Sequence, residues 1–361
     1  MNSIVLLAGA RPNYMKIFPI WREIKEKYTD IESVIVHTGQ HYDDLMNEVF
    51  FRDLGMDAPD HFLEVGSAPQ GVQTGRVMCR LEPLLTELNP SLLVVVGDVN
   101  STAAGAMVGV KLGIPVAHVE AGLRSGDRSM PEEINRIVTD SISDVLLTPS
   151  EDADDNLLHE GVASERIHLV GNIMIDSLKS LRPATEHSTL LNTLGLNTGE
   201  YVAVTLHRPS NVDHPGTLAR IIRELAEVAE NRPVVFPVHP RTRASLTRHG
   251  LDKLSGQVRM IDPVGYIDFL KLQEHAFAVI TDSGGVQEET TVFEVPCLTL
   301  RPNTERPVTI ERGTNRLVDL EKESLAEAVN AAPGQKRKVD IPLWDGCTAP
   351  RVMTVLEQML D

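Results

Sequence analysis

The sequence predicts an α/β fold of two Rossmann-like, doubly wound domains facing a cleft, with a C-terminal helix packing back across the domains. Three observations predict it. Short unbroken apolar runs alternate with amphipathic stretches, as in βα repeats whose parallel strands are covered on both faces. This pattern pauses at Arg182–Glu200, a stretch with Pro, Thr, Asn and Gly, and then restarts. The residues able to do chemistry follow the apolar runs, at the strand ends where doubly wound sheets bind ligands. A length of 361 residues suits two domains of ordinary size.

In chain order, the first half supplies strands at Ile4–Leu7, Ser33–His37, Leu92–Val96, Val116–Val119 and Val145–Leu147. Helical patterns lie between them near Tyr14–Tyr28, Gln70–Leu88 and Ser101–Leu112. The second half repeats the scheme with YVAVTLH, PVVFPVH, VRMID, FAVITD and PCLTL. The last apolar helix, about Ala349 to Leu360, has no strand after it. The expected domains are residues 1–172 and 173–361, with the helix at about 349–361 returning to the first domain.

Composition excludes several classes. A formal charge of −17, from 34 basic and 51 acidic side chains, makes a poor surface for nucleic acid or anionic lipid. An anionic ligand must therefore meet a local cluster of cations. Cys79, Cys297 and Cys347 form no CxxC pair, and no His has zinc-site spacing beside them, so neither a disulfide framework nor a metal is expected. The N-terminus reads as a strand rather than a signal or membrane span, which places the chain in a reducing cytoplasm.

His118–Arg136, HVEAGLRSGDRSMPEEINR, is the most informative stretch. It sets Glu120, Arg124, Glu132 and Arg136 between a buried strand and a helix. With Asp98 it gives three candidate acid/base carboxylates beside cations, an arrangement in which one carboxylate pKa is driven toward neutrality. The duller roles are an N-cap for Asp98 and a routine first-turn position for Glu132. Arg11 and Lys16 start a helix, where cations oppose the dipole. They bind either a diphosphate or a carboxylate, Asp98 or Glu120.

Ser283-Gly284-Gly285 precedes another helical pattern and offers free backbone N–H groups to an anion. The alternative is a plain turn capped by Ser283 or Asp282. Glu289, one turn on, could accept from ribose hydroxyls or be a solvated helix charge. His207 is a candidate phosphate donor or proton carrier, or else a structural strand-end histidine. Arg301–Pro307, RPNTERP, adds the cation Arg306. No GxGxxG, HExxH or GxSxG element appears, so no nicotinamide cofactor, metal hydrolase or serine hydrolase is expected.

Together GARPNYMK, GDVNST, HVEAGLRSGD, PEEINR, TLHRPSNVD, TDSGGVQEE and LRPNTERP, followed by GTNRLV, resemble the non-hydrolysing UDP-N-acetylglucosamine 2-epimerases, in order and over nearly the whole chain. The resemblance implies a glycosyltransferase-B-type fold, a homodimer, no cofactor, and a UDP-sugar substrate inverted at C2 by elimination and re-addition of UDP. By family position, Asp98, Glu120 and Glu132 move protons and stabilise the sugar cation, while His207, also a catalytic candidate, helps to hold the diphosphate. Arg11, Lys16, Arg136, Ser283, Gly284, Gly285, Glu289 and Arg306 hold the nucleotide. The first domain becomes the acid/base side and the second the UDP side.

The chain departs from the family pattern in places. Asn13 stands where the common GTRPE form has Glu, Pro209-Ser210 replaces the RRE-type continuation, and the loop between Arg124 and Glu132 is two residues shorter. The family's allosteric activation by a second UDP-GlcNAc, near Gln40, His41 and the His207 segment, is therefore expected not to operate in its usual form. These departures also admit a modified sugar such as a 2,3-diacetamido uronic acid, although TERP rather than TEW favours plain UDP-GlcNAc. A hydrolysing relative, a glycosyltransferase and a UDP-sugar-binding regulatory protein are compatible with the same fold and stay open at this point.

Overall fold

A computed structural model describes residues 2–39, 54–254, 256–332 and 339–360. The chain divides into two compact units, Met1–Ser180 with Pro342–Asp361, and Leu181–Ile341. The first unit is built on a parallel sheet of β1 (Asn2–Ala8), β2 (Ile31–His37), β3 (His61–Phe62), β4 (Leu92–Val96), β5 (Val116–Val119), β6 (Val145–Thr148) and β7 (Ile167–Leu169), in the order β3-β2-β1-β4-β5-β6-β7. The second holds β8 (Val202–Thr205), β9 (Val234–Pro237), β10 (Arg259–Ile261), β11 (Ala278–Thr281), β12 (Cys297–Thr299) and β13 (Asn315–Leu317), in the order β10-β9-β8-β11-β12-β13. Every pairing in both sheets is parallel.

The long apolar runs become strands because helices cover both faces. All five residues of β4 are buried, and small residues let a helix lie close upon the sheet. A β-carbon at Gly109, in helix Asn100–Lys111, would stand 2.7 Å from Val116 Cγ2 and 2.9 Å from Leu93 Cδ2. In the second unit, helix Pro215–Ala229 buries Leu218, Ile221, Ile222, Leu225 and Val228, the three- and four-residue spacing of one helical face. Burying each Leu or Ile contributes about 1.5–3 kcal/mol.

The C-terminal segment belongs to the first unit. Helix Thr348–Leu360 buries Val352, Met353 and Leu356 and packs on helix Arg11–Lys27. Its start is fixed from outside: the backbone N–H groups of Thr348 and Ala349 donate to the Asp176 carboxylate at 3.0 and 2.8 Å. Three short strands, β3, β7 and β13, add to those the apolar runs mark. Arg182–Glu200 contains a 3₁₀ turn (Arg182–His187) and a short helix (Leu190–Leu194). Cys297 is a core residue of β12, and burial pushes its thiol up to about 11.

Strand order sets the chemistry. The chain reverses direction across each sheet between β1 and β4, and between β8 and β11. Their carboxyl ends open a crevice where backbone groups are free to meet a ligand. In the first unit those ends lead to Gly9–Arg11 and Gly97–Asp98. In the second they lead to Leu206–Arg208 and Asp282–Gly285.

Candidate active site

In the first unit the site is built around one glycine turn. β4 ends at Val96, and Gly97 turns with φ of +67°, its N–H donating to Val119 O at 3.1 Å. A β-carbon there would stand 2.6 Å from Lys16 Nζ and 3.3 Å from Glu120 Oε2, so the missing side chain is what admits these two groups. Lys16, from the second turn of its helix, forms an ion pair with Glu120, and both are more than nine-tenths buried. Of the partners open to Lys16, the carboxylate is Glu120. Glu120 itself has φ of +72°, a left-handed conformation that costs a non-glycine residue on the order of 1–3 kcal/mol and clusters at functional sites.

Asp98 is no helix cap; Val99 occupies that position. Its Oδ2 accepts from Arg136 Nη2 at 2.8 Å and Nε at 3.1 Å, and its backbone carbonyl accepts from Asn135 Nδ2 at 2.9 Å. Arg136 is 2 % exposed, and its Nη1 donates to Glu133. Glu132 lies one turn before Asn135 and Arg136 on helix Pro131–Ile142, hence on the face that meets Asp98. It is half-buried and has no hydrogen-bond partner among the described residues. Two of the three carboxylates are thus tied to cations, and the third has no such partner among the described residues.

Glu133, which the sequence does not single out, and Asn13 hold this arrangement. Glu133, 1 % exposed, accepts from the N–H groups of Ser125 and Gly126 as well as from Arg136, which ties the preceding loop to the helix. Asn13 accepts from Gly9 N and Ala10 N at 3.0 and 2.9 Å and donates to Val96 O at 3.3 Å. A glutamate could accept those two bonds but not make the third. Arg124, grouped with the site cations by its motif, is committed elsewhere: its guanidinium donates to Asp140 and, through two nitrogens, to Glu160.

In the second unit Asp282 is fully buried and does not cap the next helix. Its carboxylate accepts from the backbone N–H groups of His207 and Arg208 at 3.1 and 3.0 Å and from Asn211 Nδ2 at 3.0 Å, drawing the loop after β8 onto the end of β11. His207 stays two-fifths exposed, with Nδ1 3.3 Å from Asp282 Oδ1. Burial lowers its pKa, and Arg208, Arg241 and Arg301 reinforce the shift against the opposing pull of Asp282. The ring is therefore kept toward its neutral form, able to accept as well as to donate.

Ser283 occupies the cap position of helix Gly284–Val292 without a side-chain cap bond. The two glycines differ. A β-carbon at Gly284 would stand 2.5 Å from Arg306 Nη1 and 2.6 Å from Glu305 Oε1, whereas one at Gly285 meets nothing within 4 Å. Gly284 makes room for protein, and Gly285 leaves bare backbone facing open space at a helix N-terminus. Arg306 is held over this turn by Glu288 and Glu305, each at 2.6 Å, and Arg301 braces Glu305 at 2.7 Å. Glu289 accepts from Tyr266 Oη and Gln273 Nε2, both at 2.7 Å, so its carboxylate is oriented, not solvated.

The model of the family described as UDP-N-acetylglucosamine 2-epimerase matches residues 22–357. The chain belongs to the UDP-N-acetylglucosamine 2-epimerase family. It is 42 % identical to a UDP-N-acetylglucosamine 2-epimerase of Methanocaldococcus jannaschii, over 98 % of each chain. It is also 41 % identical to a UDP-2,3-diacetamido-2,3-dideoxy-D-glucuronate 2-epimerase of Pseudomonas aeruginosa, over 95 % of this chain and 96 % of the other. The crystal structure of Methanocaldococcus jannaschii UDP-GlcNAc 2-epimerase in complex with UDP-GlcNAc and UDP matches with a TM-score of 0.91 at 41 % identity, covering 99 % of this chain and all of that one. The epimerase family and the glycosyltransferase-B-type fold are those the motifs imply.

Among the candidate residues of this epimerase, the first unit brings Lys16, Asp98, Glu120 and Arg136 to one turn, with Glu132 beside them. The second unit gathers His207, Ser283, Gly284, Gly285 and Arg306, with Glu289 farther along the same helix. The Arg11 side chain, Gln40 and His41 lie outside the described residues. Among the described residues no helix is long and apolar enough to cross a membrane.

Proposed function

We propose that this chain interconverts UDP-GlcNAc and UDP-ManNAc. The hydrogen at C2 is not next to a carbonyl and is barely acidic, so direct deprotonation is closed. Departure of UDP from C1 makes it acidic: the C1–O pair leaves with UDP, a carboxylate takes the C2 proton, and the C2–H pair closes the C1=C2 bond of a 2-acetamidoglucal. UDP then returns to C1 while a proton is delivered to the opposite face of C2.

The observation that carries this proposal is the set of carboxylates at the Gly97–Asp98 turn, two paired with cations and Glu132 without a partner among the described residues. Asp98, Glu120 and Glu132 are the proton carriers and stabilisers of the developing sugar cation. Lys16, Arg136 and Arg11 are the first unit's cations for the diphosphate. In the second unit Ser283, Gly284, Gly285 and Arg306 hold the diphosphate, His207 assists, and Glu289 takes the ribose. No redox group enters the scheme, and the family resemblance adds a cytoplasmic homodimer serving cell-surface polysaccharide synthesis.

The near-equal identity to the diacetamido-glucuronate epimerase favours one second reading, a substrate with a 3-acetamido group and a C6 carboxylate. Parallel incubations with UDP-GlcNAc and that nucleotide, followed by phosphorus and proton NMR, separate the two. The proposal expects UDP-ManNAc from the first at the higher kcat/KM. Turnover of the uronate alone would transfer the assignment, and free ManNAc with UDP would make the chain a hydrolysing enzyme.

A further inference from the structure

His118 is a fully buried residue of β5 that no step above uses. Both its ring nitrogens face oxygen. Nδ1 lies 2.6 Å from Asp140 Oδ1, and Nε2 lies 2.8 Å from the carbonyl of Gly97. A carbonyl can only accept, so Nε2 donates. Asp140 keeps its negative charge: burial pushes its pKa up, but His118 and then Arg124 outweigh burial and hold it below the usual carboxylate range. The ring thus bridges the Gly97 carbonyl and the Asp140 carboxylate, with no other contact needed to fix its orientation.

The two ends reach both halves of the carboxylate cluster. Gly97 is the residue before Asp98. At the β4 end, side chains take the backbone carbonyls: Asn13 and Thr102 donate to Val96 O, and His118 donates to Gly97 O. On the other side, Asp140 Oδ2 accepts from Gly122 N at 3.1 Å and Arg124 Nη1 at 2.7 Å. His118 and Gly122 flank Glu120 at two residues on either side, and both bond to Asp140. Glu120 is the residue held at φ of +72° between them.

We infer that His118, clamped between Asp140 and the Gly97 carbonyl, is a positioning residue that fixes the Asp98 and Glu120 carboxylates relative to each other. The inference rests on the epimerase reading above. A satisfied core histidine would matter for folding alone. A spacer between two proton-transfer groups matters for the chemical step, where a misplacement of about 1 Å can cost on the order of 10²-fold in rate. It also matters for partitioning, because a glucal that waits longer for its second proton has longer to escape.

The test compares the full-length wild type with His118→Phe and His118→Gln, whose amide N–H can still reach Gly97 O. Five quantities are measured: kcat and KM for UDP-GlcNAc, UDP affinity by calorimetry, thermal midpoint, and the ratio of released 2-acetamidoglucal to UDP-ManNAc. His118→Phe is expected to lose about 10²-fold in kcat, shift KM and UDP affinity less than about threefold, and raise the glucal ratio. His118→Gln is expected to recover about tenfold of that loss. A folded, UDP-binding His118→Phe with kcat within about threefold of wild type and an unchanged glucal ratio overturns the inference. If His118→Phe does not fold, Asp140→Asn, which keeps side-chain volume, takes its place; wild-type kcat and ratio there overturn the inference equally. An inactive wild type would instead remove the epimerase reading itself.

Discussion

The candidate sites of the two units are built on opposite principles. In the first unit the reactive groups are side chains, and most are already paired with one another: Lys16 with Glu120, Arg136 with Asp98 and Glu133. In the second unit the element facing open space is backbone, at Gly285, and the side chains behind it form a braced frame of Arg301, Glu305, Arg306 and Glu288. Proton transfer needs groups whose charge can change, and such groups are tolerated in a buried place only when each has a partner. Holding a diphosphate needs only fixed N–H dipoles, which a rigid frame supplies. The difference predicts that substitutions of the first unit's carboxylates act on kcat and those in the second unit on binding.

The largest effects should come from the carboxylates, and they should not be alike. Glu132→Gln removes a group with no hydrogen-bond partner among the described residues, so kcat should fall by about 10²–10⁴-fold with thermal midpoint and UDP affinity unchanged. Glu120→Gln should lose as much activity and also stability. It strands the buried Lys16 ammonium, which costs on the order of 3–5 kcal/mol. Turnover, calorimetry and denaturant unfolding on both variants decide this. Equal stabilities would mean that the Lys16–Glu120 pair is not buried in solution.

The two glycines of the second unit should separate next. Gly285→Ala places a methyl group where nothing lies within 4 Å, so folding stability should hold within about 0.5 kcal/mol while UDP affinity falls at least tenfold. Gly284→Ala collides with Arg306 and Glu305, so both stability and affinity should drop. Unfolding midpoints and UDP titrations of the pair suffice. A Gly285→Ala protein that binds UDP normally would show that the open backbone is not a ligand surface.

A smaller effect belongs to acid stability, again in the first unit. His37 is 3 % exposed between the rings of Tyr14 and Phe62, and burial lowers its pKa from 6.5 to about 4. Its folded pKa lies below its unfolded one, so the unfolded chain takes up the proton first. The stabilisation is complete above pH 6.5, declines as pH falls below that, and is gone below about 4; it amounts to at most about 3 kcal/mol. His37→Phe should flatten unfolding free energy across that window. An unchanged pH slope would place the acid sensitivity on other groups.

Much of this was legible from the chain itself. β4, β5, β8 and β11 are buried on both faces, so they read as unbroken apolar runs, and the residues that follow them carry the candidate chemistry. β3, β7 and β13 were not legible, because two or three residues are too few to show a periodicity. At the sites, the reactive residues announced themselves by strand-end position, but their partners did not. Lys16 and Glu120 are 104 residues apart, and nothing local chooses Glu120 over Asp98. Glu133 hid beside Glu132 in PEEINR; a helical wheel starting at Pro131 would have set the two on different faces. Tyr266 and Gln273 precede Glu289 by 23 and 16 residues and lie on a separate helix, which only the packed fold brings alongside it.

The most direct measurement is made on the C2 hydrogen. The wild-type protein is incubated with UDP-GlcNAc in D2O, with neither NAD nor metal added, and the sugars are followed by proton NMR and mass spectrometry to equilibrium. Elimination and re-addition through solvent-exchanging carboxylates predicts one deuterium at C2 of UDP-ManNAc, and later of UDP-GlcNAc as the reaction reverses. UDP-ManNAc formed with its original C2 protium after many turnovers would contradict proton transfer by the first-unit carboxylates.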